Sequence, residues 1–230
     1  MHEVALAGSF VPPAAQLESG DHMTQEEFLR AYERTPDHFK AELVGGIVFV
    51  ASPLRNPHAT ADGTLGGLFF YYSGHTPGVQ HGNNATVLLG DGGVPQPDQY
   101  LRILPQHGGQ SRTTADEYVE GAPELVAEIS HATRALDLHE KRADYAQYGV
   151  KEYLVWCLEQ PQLRWFDMAQ DRELMPDADG IYRIRTFPGL WINGAALLGQ
   201  DFDALMSTLN AGLATPEHTE FVQRLSAAKH

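Results

Sequence analysis

The stretch PQPDQYLRIL, residues 95–104, decides how the rest of the chain is read. Proline has no backbone N–H to give to a β ladder, so Pro97 belongs at the first residue of a strand or on an edge. Asp98 then stands where the backbone enters the strand QYLRIL. One reading of that acid is turn chemistry, because aspartate bonds its own local backbone well. The other is a functional carboxylate, which depends on the acids the remaining chain brings to the same place.

Around that strand the sequence describes a domain able to build a core. Its 230 residues are 43% hydrophobic and 10% aromatic, which excludes wholesale disorder. The single cysteine, Cys157, excludes an intramolecular disulfide framework and suits a reducing compartment. The first 23 residues lack a basic segment followed by a continuous apolar one, and no run reaches membrane-spanning length. The expected location is the cytoplasm, with no membrane partner. Charge points away from a free-standing nucleic-acid binder: 16 basic residues stand against 30 acidic ones, for a net charge of −14. Such binders usually carry a basic patch or stripe, so a nucleic-acid role here needs a local field that differs from the global one.

Residues 1–22 read as a loose arm, 23–195 as one α/β (α+β) domain, and 196–230 as a C-terminal helical extension. Thr24 followed by Glu27 is a capping-box pattern that opens a helix. ELVGGIVFVASP reads as two strands joined at Gly45-Gly46. A helix is expected over 57–72, where Leu65, Leu68, Phe69 and Tyr72 keep helical spacing. ATVLL, QYLRIL and ELVAEIS follow as strands, and ALDLHEKRADYAQYGV reads as one helix closed by Gly149. EYLVWCL and QLRWFDM read as a hairpin, GIYRIRTF as the last strand, and 202–209 and 217–228 as helices. Hairpins together with helical crossovers imply a mixed sheet.

Glu128 interrupts the apolar strand ELVAEIS. An unpartnered buried carboxylate is costly, so this one is paired, bound to a metal, or facing solvent on a half-buried strand. With Asp98 it forms a candidate pair on neighbouring strands, and Mg²⁺ commonly takes one or two protein carboxylates and completes its shell with water and phosphate oxygens. Lys141 shares a helix face with Leu138, Tyr145 and Tyr148. It reads either as an ordinary i,i+4 partner of Asp137 or as a lysine aimed at the acids. Glu42, before the first apolar run, reads by itself as a surface residue.

AELVGGIVFVASP, His58 at a helix start, PQPDQYLRIL, APELVAEIS, EKRADYAQYGVKEYLVW and FPGLWI stand together in this order over residues 25–192. In that order and spacing the chain resembles the Uma-two restriction-endonuclease family. The resemblance implies a restriction-endonuclease-like mixed β-sheet flanked by helices, with Pro97-Asp98 matching the "PD" and Glu128 the second acid of the PD-(D/E)xK signature. It further implies Glu42 as the acid before the Gly-rich turn, and Asp137 and Lys141 as the acid and lysine of the following helix. Ser130 stands where the signature carries lysine, so the resemblance implies that Lys141 supplies that charge. His131-Ala132-Thr133 replaces the usual Pro-Ser-Thr after it.

The expectation is a Mg²⁺-dependent endonuclease, with Mn²⁺ as substitute, that cuts nucleic acid, above all DNA. Asp98 and Glu128 are the metal ligands, Lys141 and Glu42 further catalytic residues, and His58, Ser130 and Asp137 support. A homodimer is expected, because cutting two strands suits two sites and because Leu205, Phe221 and Leu225 lie beyond the resembling core. The alternative is a nuclease-fold binding or scaffold protein without useful catalysis, favoured by the acidic balance and by Ser130. A histidine-metal hydrolase is disfavoured, since the 11 histidines form no His-x-x-x-His ligand pair.

Overall fold

The computed structural model describes residues 17–36, 38–131 and 133–228. In chain order the elements are α1 (Gln25–Tyr32), β1 (Ala41–Val44), β2 (Ile47–Val50), α2 (Asn56–Gly74), β3 (Val79–Gly82), β4 (Val87–Leu88) and β5 (Gln99–Ile103). After a 3-10 turn come β6 (Arg112–Thr113), β7 (Val119–Glu120), β8 (Leu125–Ser130), α3 (Arg134–Leu138), α4 (Glu140–Gln147) and β9 (Glu152–Cys157). The chain ends with β10 (Gln162–Asp167), β11 (Arg172–Leu174), β12 (Ile181–Arg183), β13 (Trp191–Asn193), α5 (Gly194–Gly199), α6 (Phe202–Leu213) and α7 (Pro216–Ala227).

The central sheet has six strands in the order β11-β10-β9-β8-β5-β3. Only β8 and β9 run parallel, joined through the α3–α4 crossover, while the other neighbours are antiparallel. This is the mixed sheet the sequence implies. On β8 the side chains alternate between two buried faces. Leu125, Ala127 and Ile129 join Leu154 and Trp156 against α2, α6 and α7, whereas Val126 joins Tyr153 and Val155 beneath Tyr145 of α4. Glu128 shares the second face with Val126, because strand side chains repeat every two residues. It is 4% exposed, so the solvent-facing reading fails.

The β1–β2 hairpin turns on Gly45 and Gly46 at φ +57° and +77°, the left-handed pair that a two-residue type I′ turn demands. Asp144 on α4 accepts the Gly45 N–H at 2.7 Å and so fixes the hairpin against the crossover. Thr24 and Glu27 form the expected capping box of α1. Residues 17–22 of the expected arm lie along the hairpin, with Leu17 buried and Gly20 N–H donating to Val48. Residues 1–16 fall outside the described residues.

Three expectations are corrected. The helix over ALDLHEKRADYAQYGV is two helices that meet at His139, whose φ −121° and ψ −75° leave the helical region. The Tyr153 hydroxyl donates to the Asp137 carbonyl at 2.9 Å, occupying the acceptor that a continuous helix would offer to the Lys141 N–H. GIYRIRTF is not the last strand: β12 stops at Arg183, and Trp191–Asn193 folds back to pair with it. Leu205, Phe221 and Leu225 are buried in the principal core with α2 and the sheet. They therefore supply no surface for a second copy.

Candidate active site

Gln99 of β5 pairs with Ala127 of β8, and one step along that antiparallel register sets Asp98 beside Glu128. The Ile129 N–H donates to Asp98 Oδ2 at 2.7 Å. His58, in the first turn of α2, places Nε2 3.2 Å from the same oxygen. Pro97 and Asp98 thus enter the sheet as the sequence suggests, but the Asp98 carboxylate is held by a neighbouring strand and a helix, not by its own turn. Its side chain is 13% exposed.

Glu128 Oε1 accepts from Lys141 Nζ at 3.0 Å and from the Tyr145 hydroxyl at 2.8 Å. Lys141 Nζ also lies 2.8 Å from Glu42 Oε2, and Glu42 Oε1 accepts the Gln96 N–H at 2.6 Å. Glu42 is part of β1 and only 17% exposed in its side chain, so the surface reading of it fails as well. The simple Asp137–Lys141 pairing also fails. Asp137 Oδ2 accepts from the Thr133 hydroxyl at 2.6 Å, while Lys141, 5% exposed, spans Glu42 and Glu128. Ser130 is buried at the end of β8, and its hydroxyl has no hydrogen-bond partner among the described residues.

Burial raises the Glu128 carboxyl well above the usual range; Lys141 opposes the shift, and Asp98 and Glu42 add to it. Burial also raises Asp137, against Lys141 and the Thr133 hydrogen bond. For Lys141, burial works against the charge, but Glu128, Glu42 and Asp137 outweigh it and hold the ammonium well above its ordinary value. His58 is pulled down by burial and raised by its contact with Asp98, with a net rise. Four carboxylates thus share one buried cation and one histidine.

These groups line a single open cleft of about 790 Å³. A divalent cation fits its donor set. Asp98 Oδ1 and Glu128 Oε2 accept no hydrogen bond from a described residue, and the local excess of acid calls for positive charge. No cluster of three or more His, Cys, Asp or Glu among the described residues has metal-holding geometry. A cation held between Asp98 and Glu128 would have two protein carboxylates and leave places for water and phosphate oxygens, as Mg²⁺ prefers.

Sequence reasoning placed Tyr145 on the Lys141 face without giving it a partner, and its hydrogen bond to Glu128 emerges only when α4 crosses β8. It missed Gln96, which acts through its backbone and leaves no side-chain signal. It also missed Gln99, the residue after Asp98, whose amide donates to Asp62 Oδ1 at 2.6 Å.

Among the described residues no helix is long and apolar enough to cross a membrane. No curated protein matches the chain. The crystal structure of a putative nuclease from Anabaena variabilis matches with a TM-score of 0.56 and 11% identity, over 83% of this chain and 99% of that one. That likeness shows the fold: a mixed sheet with flanking helices of the kind seen in that protein. The model of the Uma2 family, described as "Putative restriction endonuclease", matches residues 25–196, which include Glu42, His58, Asp98, Glu128 and Lys141. The chain belongs to the Uma2 family of restriction-endonuclease-like proteins.

Proposed function

We propose that the chain is a metal-dependent endonuclease that hydrolyses phosphodiester bonds of nucleic acid, foremost DNA, and acts as a homodimer. The observation that carries this reading is the meeting of Asp98, Glu128 and Lys141 in one cleft, from three separate elements. Asp98 and Glu128 are the ligands for Mg²⁺ or Mn²⁺. Mg²⁺ held there supplies Lewis-acid polarisation of a phosphoryl oxygen and a bound water of lowered pKa. The Ile129 N–H and His58 fix Asp98 through Oδ2 and leave Oδ1 free for ligation. Tyr145 and Lys141 do the same for Glu128 through Oε1. Lys141 stays charged and offsets negative charge that develops on the phosphoryl group, an effect that depends on a fixed and desolvated cation. Both Glu42 oxygens are engaged, so Glu42 acts by positioning Lys141.

The test is cleavage of plasmid and single-stranded DNA in Mg²⁺ or Mn²⁺, with and without saturating EDTA. Cleavage that stops with EDTA and is absent in Asp98→Asn supports the reading. Cleavage that survives EDTA overturns it. A second reading, a nuclease-fold binding or scaffold protein, is favoured by the closure of Lys141 between two acids. Salt-sensitive oligonucleotide binding with no cleavage in either metal would select it.

A further inference from the structure

We propose that Lys40 and Arg55, which line the same cleft as Asp98, form a pair of phosphate-binding cations that grip the backbone of the strand entering it. The proposal rests on the nuclease reading and names the groups that overcome the protein's acidity locally. The chain has 30 acidic residues against 16 basic ones, and many of its cations stand against a carboxylate, as Arg142 does with Asp171 and Arg164 with Glu173. Lys40 and Arg55 are exposed, line the cleft, and make no ion pair with a described carboxylate. Cations without a described carboxylate partner at the mouth of an acid-lined cleft suit an anionic ligand.

Both are tied to the site. Lys40 precedes β1 and stands two residues before Glu42, so the two side chains share a face. Its ammonium reaches Asn84 Oδ1 at 3.4 Å, and the Asn84 N–H donates to the Pro97 carbonyl, next to Asp98. Arg55 precedes α2 by one residue and His58 by three, and His58 contacts Asp98. The first turn of α2 carries no acid and so offers nothing to repel a phosphate. Leu54, 61% exposed at the same rim, gives an apolar surface for a sugar or base edge beside these cations.

Phosphate contacts have a signature that a structural role lacks. Each one adds about 0.9 to the salt slope of log K for duplex and about 0.7 for single strands. Binding of fluorescent duplex and single-stranded oligonucleotides would be followed against salt with Ca²⁺ in place of Mg²⁺. The proteins are wild type, Lys40→Ala, Arg55→Ala, the double variant, and Arg172→Ala as a control away from the cleft. Each single substitution should lower the slope by about one contact's share, and the double by about twice that. The control should keep the wild-type slope, and all melting temperatures should stay together. Unchanged slopes in the double variant, or no oligonucleotide binding by wild type, overturn the proposal. Unchanged slopes alongside EDTA-sensitive cleavage would remove these two residues while leaving the nuclease reading intact.

Discussion

Asp98 stands beside Glu128 across the β5–β8 ladder, and the N–H of the next residue, Ile129, clamps Asp98 Oδ2 at 2.7 Å. Two acids from opposite ends of a 30-residue excursion are thus brought together by sheet register. Each keeps one oxygen for the cleft. The consequences fall on stability as well as on catalysis.

Lys141 is the first test. It is buried between Glu42 and Glu128, and removing one member of a buried ion pair typically costs about 3–5 kcal/mol. Lys141→Met should lose about that much by urea unfolding at pH 8. The loss should shrink as pH falls through the raised Glu128 value, because a neutral Glu128 no longer needs the cation. Cleavage at a temperature where the variant stays folded should fall by about 10²–10³-fold. A variant within a few tenths of a kcal/mol of wild type would show that the ion pairs are not formed in solution.

The pH dependence of stability has a definite sign. The folded pKa values of Glu128 and Asp137 are raised by burial, so the native state holds protons that the unfolded chain has released. Stability therefore rises as pH falls through those folded values, and levels off below the unfolded ones near 4.5 and 3.8. His58, raised above 6.5 by Asp98 against its burial, adds stability that is fully present below 6.5 and is lost as pH rises through its folded value. Lys141, raised further above 10.5, contributes a constant amount here. His218, lowered by burial, opposes the trend. The apo protein should be more stable at pH 5.5 than at pH 8 in urea titrations, and Glu128→Gln should flatten that slope. A wild-type slope of opposite sign would contradict the shared-acid site.

Tyr145→Phe isolates one hydrogen bond. The Tyr145 hydroxyl donates to the oxygen of Glu128 that Lys141 also holds, and its removal leaves a buried acceptor short of one donor. A cost of about 1–3 kcal/mol is expected, together with a smaller loss of cleavage than in Lys141→Met. Full stability in the variant would show that Lys141 alone satisfies Glu128.

Homodimerisation now rests on the two-strand logic alone, since Leu205, Phe221 and Leu225 are internal. Light scattering should return twice the monomer mass at tens of micromolar, with the interface away from those residues. A monomer mass throughout that range would remove the dimer from the account.

Much of this was legible in the sequence because it is local. The apolar strands of the central sheet, the Gly45-Gly46 turn and the capping box at Thr24 each depend on a few adjacent residues. Asp98, Glu128 and Lys141 stood out because each breaks a pattern, and breaks survive without coordinates. What escaped depends on distant partners. The helix break at His139 is stabilised by Tyr153, sixteen residues beyond Asp137. The short strand Val79–Gly82 forms an edge only because β5 lies next to it. His58 was visible as a helix opener, but its contact with Asp98 follows from how α2 packs on β5 and β8.

Metal ligation by Asp98 is read out by melting curves of wild type and Asp98→Asn with and without millimolar Mg²⁺ or Mn²⁺. Asparagine keeps an oxygen to accept the Ile129 N–H, so the fold should persist. Relief of repulsion among the acids should leave the apo variant as stable as wild type or more so. A ligand that binds only the native state raises its melting temperature, by an amount that grows with the logarithm of ligand concentration over Kd. Wild type should therefore shift upward with metal, and Asp98→Asn should not. Equal shifts in the two proteins would contradict the account and return Asp98 to a purely structural role at the mouth of its strand.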